Sequence, residues 1–182
     1  MAWTTPRTWT DGELVTKSIM DTHIRDNLNA LGPHLIVRKT ADETVTSSTA
    51  LQNDDSLLMS VGVSEVWRLE WIIIYSAATA GDIKIGWTFP TGAKINTHTI
   101  TTDSSGSSLT DNLNFESDFA SGGSGTVGTT AASPDYATLF IPMIYVGGAN
   151  SGTLQLQWAQ GTSSGTATAV KANSTLWGVK LV

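Results

Sequence analysis

Residues 67–75, with the sequence WRLEWIIIY, decide the fold class of the chain. The odd positions of this stretch are all apolar, whereas the even positions change from charged, at Arg68 and Glu70, to apolar, at Ile72 and Ile74. A period of two is that of a β-strand, because successive side chains of a strand point to opposite faces of the sheet. The stretch therefore predicts a strand whose Ile-rich end is covered on both faces.

The same period recurs along most of the chain. Residues 82–89, DIKIGWTF, alternate as expected for a half-buried antiparallel strand. Further strands are predicted at residues 34–38, 44–46, 56–61, 94–100, 112–115, 138–146, 153–160, 166–170 and 175–181. The turn-rich residues 52–55 and the low-complexity residues 120–130 are predicted to be loops. Many short strands joined by turns indicate a sandwich, a jelly roll or a barrel.

One helix is predicted, near the N-terminus. Its apolar residues recur at steps of four, four and three, which places them on one helical stripe: Met20, Ile24, Leu28 and Leu31. Thr10 with Glu13 has the spacing of a capping box, and Thr16 is a second candidate N-cap. Gly32 and Pro33 are expected to end the helix, since Pro cannot continue the hydrogen-bond ladder.

The helical stripe needs a surface to pack on. It is too short for a coiled coil, so we expect it to be buried against the body, a sister subunit or another protein. Two tryptophans of the preceding arm lie outside the alternating pattern, so we expect them to contact a partner as well. The candidate interface residues are Trp3, Trp9, Met20, Ile24, Leu28 and Leu31.

Four tryptophans further along the chain have a different sequence context from the two in the arm. Trp67, Trp71, Trp87 and Trp158 lie on the apolar phase of predicted strands, which favours a place in the core or in a subunit interface. We therefore expect an N-terminal arm and helix for attachment, residues 1–33, and a β domain, residues 34–182.

The composition argues against several classes of function. The net charge of −6 and the lack of Lys and Arg clusters disfavour binding to nucleic acid or to an anionic membrane. The chain has no cysteine, which rules out disulfides and thiolate metal sites. Its longest apolar run, residues 71–75, is far too short to span a bilayer. We expect neither a nucleic-acid nor a membrane partner.

No group of residues predicts a catalytic or metal site. Residues 161–165 match the G-x-S-x-G pattern around Ser163, but a strand-like run follows where a nucleophile elbow needs a helix. His23, His34 and His98 lack a metal-binding spacing. Acidic pairs in loops are interpreted as turn residues rather than calcium ligands. We therefore predict a non-enzymatic protein without a cofactor or metal.

Two stretches of the sequence carry a resemblance to a known family. Residues 9–16, WTDGELVT, and residues 20–31, MDTHIRDNLNAL, resemble the N-terminal segment of a family of tailed-bacteriophage virion proteins. These proteins often begin with Trp-Thr-x-Gly-Glu-x-Val-Thr and continue into Met-Asn-x-x-x-Arg-Asp-Asn-Leu; here Asp21 stands where Asn is usual. Residues 156–160, LQWAQ, and residues 170–177, VKANSTLW, are similar to the closing strands of such proteins, with Asn173 in place of the usual Gly.

The resemblance implies a small jelly-roll-like body, often trimeric, with an N-terminal element that fixes it to the virion. We therefore expect a mainly β fold, an antiparallel, jelly-roll-like β-sandwich with a short N-terminal arm and α-helix. The expected function is that of a capsid decoration or head-fibre protein located in the virion. Its expected partners are the major capsid protein or tail proteins and, as a homotrimer, its own copies.

Two alternatives remain at this point. The chain is a tail-associated adhesin or fibre subunit if its loops at residues 101–111 and 120–133 bind a host-surface glycan. A hydrolase acting on cell-surface polymer is the third hypothesis, which the sequence gives no positive reason to prefer.

Overall fold

The computed structural model describes residues 4–30, 34–77, 82–102, 109–115, 124–127 and 136–182. The chain forms two compact units, an N-terminal unit of Met1–His34 and a β body of Leu35–Val182. The described part of the N-terminal unit consists mainly of an extended arm, a turn and a helix, whereas that of the body consists of strands and their connections.

The helix of the N-terminal unit has three segments. It is α-helical at Lys17–Met20, π-helical at Asp21–Arg25 and α-helical again at Asp26–Ala30. The sequence predicts a helix here but not the π-helical turn, in which the amide of Asp26 donates to the carbonyl of Asp21, five residues earlier. The predicted end of the helix at residues 31–33 lies outside the described residues.

The strands of the described residues form two antiparallel sheets. In chain order they are β1 His34–Arg38, β2 Glu43–Val45, β3 Gln52–Val61, β4 Val66–Ser76, β5 Ile83–Thr88, β6 Lys94–Thr102, β7 Leu109–Phe115, β8 Ser124–Val127, β9 Ala137–Val146, β10 Gly152–Gln160, β11 Thr168–Val170 and β12 Thr175–Lys180. The larger sheet has the order β1-β12-β4-β9-β6-β7, with β11 pairing both β2 and β4. The smaller sheet has the order β3-β10-β5-β8.

The strand pairing is that of a jelly roll. Four antiparallel pairs are nested in the chain: β6 with β7, β5 with β8, β4 with β9, and β3 with β10. The first and third pairs lie in the larger sheet and the other two lie in the smaller one. Such a double-sheet arrangement of eight strands defines the jelly roll. The predicted mainly β, jelly-roll-like sandwich is therefore confirmed.

The alternating residues of both sheets form one apolar core. Trp71, Trp87 and Trp158 are fully buried and Trp67 is 7% exposed, so all four predicted tryptophans lie in the core. The rings of Trp71 and Trp87 meet edge to face, with centroids 6.2 Å apart. Strand β1 contributes to the core from outside the eight-stranded pattern, because Leu35 and Val37 pack against it.

Strand β3 begins earlier than the sequence predicts. Residues 52–55 were expected to form a turn, but they are the first residues of β3. Asp54 is fully buried there and its carboxylate accepts a hydrogen bond from Lys39 Nζ at 2.8 Å. Lys39 lies in the connection between β1 and β2. Its ion pair with Asp54 outweighs the turn preference of Asn and Asp.

Two further expectations are wrong. The predicted loop at residues 120–130 contains strand β8, which pairs with β5 from Ile83↔Val127 to Gly86↔Ser124. The Ile-rich end of β4 is not covered on both faces within the chain, since Ile72 is 40% exposed and Ile74 is half-buried.

Candidate docking site in the N-terminal unit

A tight turn precedes the helix and is held by one carboxylate. The amide of Glu13 donates to the Thr10 carbonyl at 3.1 Å, and Gly12 adopts a φ of +77°, which favours glycine. The Glu13 carboxylate in turn accepts hydrogen bonds from the Thr10 amide and from the Arg7 guanidinium. The same guanidinium lies 5.1 Å from the centroid of the Trp9 ring. The W-T-x-G-E pattern is thus a folded turn that fixes Trp9.

The side chain of Asn27 joins the arm to the helix. Its Oδ1 accepts from the Thr4 amide at 2.9 Å and its Nδ2 donates to the Thr4 carbonyl at 2.9 Å. Nδ2 also donates to the carbonyl of His23 at 3.2 Å. Asn27 is only 5% exposed, so these hydrogen bonds are shielded from water. Asn27 belongs to the stretch at residues 20–31 that resembles phage virion proteins. Its hydrogen bonds to Thr4 are tertiary contacts, which a local sequence pattern does not predict.

The helix begins at the second of the two predicted caps. Thr16 Oγ1 accepts a hydrogen bond from the amide of Ile19 at 3.3 Å, and Thr16 has an extended backbone as an N-cap should. Thr10 and Glu13 form the turn described above and do not start the helix. The prediction that the helix begins at this capping box is therefore wrong, because three residues, 14–16, separate the turn from the first helical residue, Lys17.

Ion pairs cover one side of the helix. The Asp21 carboxylate is paired with Arg25 at 2.9 Å and with Lys17. The Lys17 hydrogen bond, assisted by Arg25, lowers the pKa of Asp21. Arg25 also pairs with Asp26 at 2.7 Å, and this hydrogen bond raises the pKa of Arg25. These pairs are exposed, so they contribute little to stability and serve mainly to fix polar side chains away from the apolar stripe.

Six large apolar side chains among the described residues of this unit are exposed. We call them the docking set: Trp9 46%, Leu14 79%, Val15 48%, Met20 43%, Ile24 40% and Leu28 63%. Four of them were predicted as interface residues, whereas Trp3 and Leu31 lie outside the described residues. The sequence analysis did not predict Leu14 and Val15 as interface residues. Their position between the turn and the N-cap indicates that they belong to no strand or helix, and this could have identified them.

The π-helical turn keeps the stripe in line. A step of four residues in an α-helix turns about 40° beyond a full turn, so Met20, Ile24 and Leu28 would drift around an ideal helix. A π turn takes in more residues than an α turn. It therefore offsets part of this drift and brings the three side chains closer to one face.

The body holds a buried cluster of charged groups that is structural. Lys39 Nζ lies 2.6 Å from a Glu43 oxygen and 2.8 Å from an Asp54 oxygen. The other Asp54 oxygen accepts the amides of Ser56 and Leu57. Burial alone lowers the pKa of Lys39, but its hydrogen bonds to Asp54 and Glu43 outweigh that and raise it. Because the charged atoms satisfy one another, the cluster offers no free ligand or base.

The other candidates from the sequence are not assembled into a site. Ser163 is exposed between β10 and β11, and the strand that follows it is not the helix of a nucleophile elbow. No group of three or more potential metal ligands occurs among the described residues. No described helix is long and apolar enough to cross a membrane. The loops considered for glycan binding, residues 101–111 and 120–133, lie largely outside the described residues.

Comparisons with known proteins give weak likenesses only. No protein-family model and no curated protein sequence matches the chain. Among solved structures, the tripod (BppUct-A-L) from the baseplate of bacteriophage Tuc2009 aligns with 98% of this chain and 76% of that chain, at 9% identity and a TM-score of 0.33. Two infectious bursal disease virus structures, of the Gt and Gx strains, align with 82% and 81% of this chain, each at 7% identity, with TM-scores of 0.22 and 0.19. This chain spans 41% of each of those two chains. TM-scores this low do not establish a common fold.

Proposed function

We propose that the protein is a non-enzymatic structural protein of a bacteriophage virion, which docks through its N-terminal unit and displays its jelly-roll body. Capsid decoration or a head fibre is the proposed role, with the major capsid protein as the partner of the docking set. The observation that carries the proposal is the exposure of six apolar side chains on a unit whose backbone is fixed by specific hydrogen bonds.

The docking set has the chemistry of a protein-binding surface. Fully covering a large apolar side chain contributes about 1.5 to 3 kcal/mol, so six of them suffice for stable attachment even after the cost of association. The contacts of Asn27 and Glu13 hold these side chains in place before binding, which reduces the conformational entropy that docking costs. All six residues of the docking set lie in the two stretches, residues 9–16 and 20–31, that resemble phage virion proteins.

The test uses two helix residues that are exposed and whose replacement keeps the helix. In the double variant Ile24→Gln and Leu28→Gln, both positions lose most of their apolar area, and Gln is a good helix former. We expect binding to particles assembled without this protein to weaken roughly 100-fold, which corresponds to about 3 kcal/mol. Binding is measured by co-sedimentation of the purified chain with those particles over a range of concentrations.

The matched control is Val63→Gln. Val63 is 56% exposed and lies in the turn between β3 and β4, so it loses a comparable apolar surface in the body. The control is expected to bind as the wild type does. The proposal fails if the wild-type chain does not bind the particles, or if the double variant reaches the same occupancy as the control.

A further inference from the structure

The two outer faces of the sandwich differ in chemistry. On the smaller sheet, the side chains that point away from the core are mostly polar in its described part, with the half-buried Leu58 as an exception in the row of Gln155. Gln155 lies opposite Thr88 of β5, and Gln157 donates to Asn53 Oδ1 at 2.9 Å. Thr153 faces Ser60 on the same side of the sheet. This face is suited to water, as expected for an antiparallel sheet with one covered side.

The outer face of the larger sheet is mostly apolar. Residues paired across the strands share a face, so the register places Trp177, Glu70 and Pro142 in one row. The row on one side of it holds Thr175, Ile72 and Phe140, and the row on the other side holds Val179, Arg68 and Ile144. Several apolar side chains here remain exposed: Ile36 73%, Ile72 40%, Ile144 38% and Val146 43%. We call this surface the apolar sheet face.

The apolar sheet face is not flat but contains two hollows. Two hollows, of about 240 Å³ and about 280 Å³, lie on either side of Ile144 and share Asn96 as a lining residue. Pro142 and Arg68 line the first hollow, and Val146 lines the second. Protruding and recessed apolar groups on one surface allow a partner to interdigitate with it.

The size of the face matches that of a stable subunit interface. The five adjacent strands β1, β12, β4, β9 and β6 contain 41 residues. At a rise of about 3.4 Å per residue and a strand spacing of about 4.8 Å, they form a face of roughly 670 Å². This lies within the range of about 600 to 1,000 Å² that each partner buries in a stable protein–protein interface.

The charge on the face favours a second copy of the same chain. The chain carries a net charge of −6, so two copies repel each other over most of their surfaces. The apolar sheet face instead carries both signs, with Arg68 Nη2 and Glu70 Oε1 3.0 Å apart. An approach along this face is therefore the least opposed by repulsion, and it provides cation and anion for complementary pairs.

We propose that the apolar sheet face is covered by a second copy of this chain and forms the subunit interface of a homo-oligomer. The proposal does not depend on the docking role of the N-terminal unit, which uses different residues. It also accounts for the Ile-rich end of β4, whose two-sided apolar pattern the single chain leaves partly uncovered.

Cysteine labelling of the full chain provides the test. The sequence has no cysteine, so single variants Ile72→Cys and Ile144→Cys each give one reactive thiol at the face. Val63→Cys is the matched control at an exposed apolar position outside it. The rate of maleimide labelling is measured from sub-micromolar to high-micromolar concentration, with molar mass followed by light scattering.

We expect the wild type to associate as concentration rises, and labelling at Ile72→Cys and Ile144→Cys to slow at least tenfold in the associated state, while labelling at Val63→Cys does not change. A wild type that stays monomeric overturns the proposal. So does an oligomer in which the face thiols react as fast as the control, because another surface then forms the interface. Slow labelling of the face thiols in a protein whose molar mass is that of a monomer also overturns it, because the chain then covers the face itself.

Discussion

In the β body, Trp71, Trp87 and Trp158 are fully buried, whereas in the N-terminal unit Trp9 is 46% exposed and the polar Asn27 is buried. The body thus follows the usual order, with apolar side chains inside and stability drawn from their removal from water. Among the described residues of the N-terminal unit, Asn27 is the one buried side chain, whereas the apolar docking set is exposed.

The difference agrees with the docking role proposed above for the N-terminal unit. A region that buries its own apolar surface can fold without a partner. A region that is fixed by hydrogen bonds gains little net stability from them, about 0.5 to 1.5 kcal/mol each, and leaves its apolar surface exposed. The two regions should therefore respond to different kinds of substitution, which the following predictions exploit.

The largest effect is expected in the core of the body. Trp71→Ala removes a fully buried ring packed against Trp87 and should lower the free energy of unfolding by about 3 to 5 kcal/mol. Trp71→Phe is the informative control, because Nε1 of Trp71 is buried without a hydrogen-bond partner among the described residues. That variant keeps an aromatic ring and removes a costly polar group, so its loss should be much smaller. Urea unfolding followed by fluorescence measures both; equal losses would contradict the expectation.

An intermediate effect is expected at the link between arm and helix. Asn27→Ala removes three hydrogen bonds and leaves the amide and carbonyl of Thr4 without their partner, at a local cost of about 1 to 3 kcal/mol. Hydrogen exchange should show faster exchange of the Thr4 amide, while the strands of the body keep their protection. Ser18→Ala, at an exposed position of the same helix, should change neither. Loss of protection throughout the body in Asn27→Ala would show that the two regions do not differ as described.

The smallest effect concerns a charged contact at the edge of the body. Glu65 accepts hydrogen bonds from Lys180 Nζ at 2.7 Å and from the amide of Gly62 and Nε1 of Trp67. Chiefly through Lys180, these contacts lower the pKa of Glu65 from 4.5 to about 2. A depressed carboxylate pKa stabilises the fold above the unfolded-state value and loses this effect as the pH falls through the folded-state value.

We therefore expect Glu65→Gln to be less stable than the wild type by about 1 kcal/mol at neutral pH, since the pair is partly exposed to solvent. This difference should shrink as the pH falls from about 4.5 and vanish near pH 2. Thermal unfolding of both proteins at a series of pH values measures it. A difference that is independent of pH would show that packing of the side chain matters rather than its charge.

The strands could be predicted wherever the chain itself carries the pattern. The alternation in β4 and β5 depends only on neighbouring residues, so both strands were found and their core-facing residues were identified correctly, although the second face of β4 is not covered within the chain. Strand β8 was missed because Ser124–Val127 has a loop-like composition and is a strand through its partner β5. The start of β3 was missed because the Lys39–Asp54 pair joins residues whose contact follows from the fold and not from their spacing.

The candidate docking site was predicted in part for the same reason. The helical period identified Met20, Ile24 and Leu28. The role of Asn27 could not be predicted, because its partner Thr4 lies 23 residues away in the arm. The apolar sheet face could not be predicted either, because the sheet register is needed to show which exposed side chains lie on the same face.

The nesting of the strand pairs has a consequence for synthesis of the chain. Strand β3 pairs with β10, and Gln155 donates to the carbonyl of Asp54 from 101 residues further along the chain. A ribosome must therefore release most of the chain before the jelly roll can close, and folds dominated by such distant pairing form slowly. The N-terminal unit is held by contacts among its own residues, such as Asn27 with Thr4, so it can form before the body and present its apolar side chains while the body is still open. During that interval nascent chains are exposed to aggregation, and expression at lower temperature or with chaperones should raise the soluble yield.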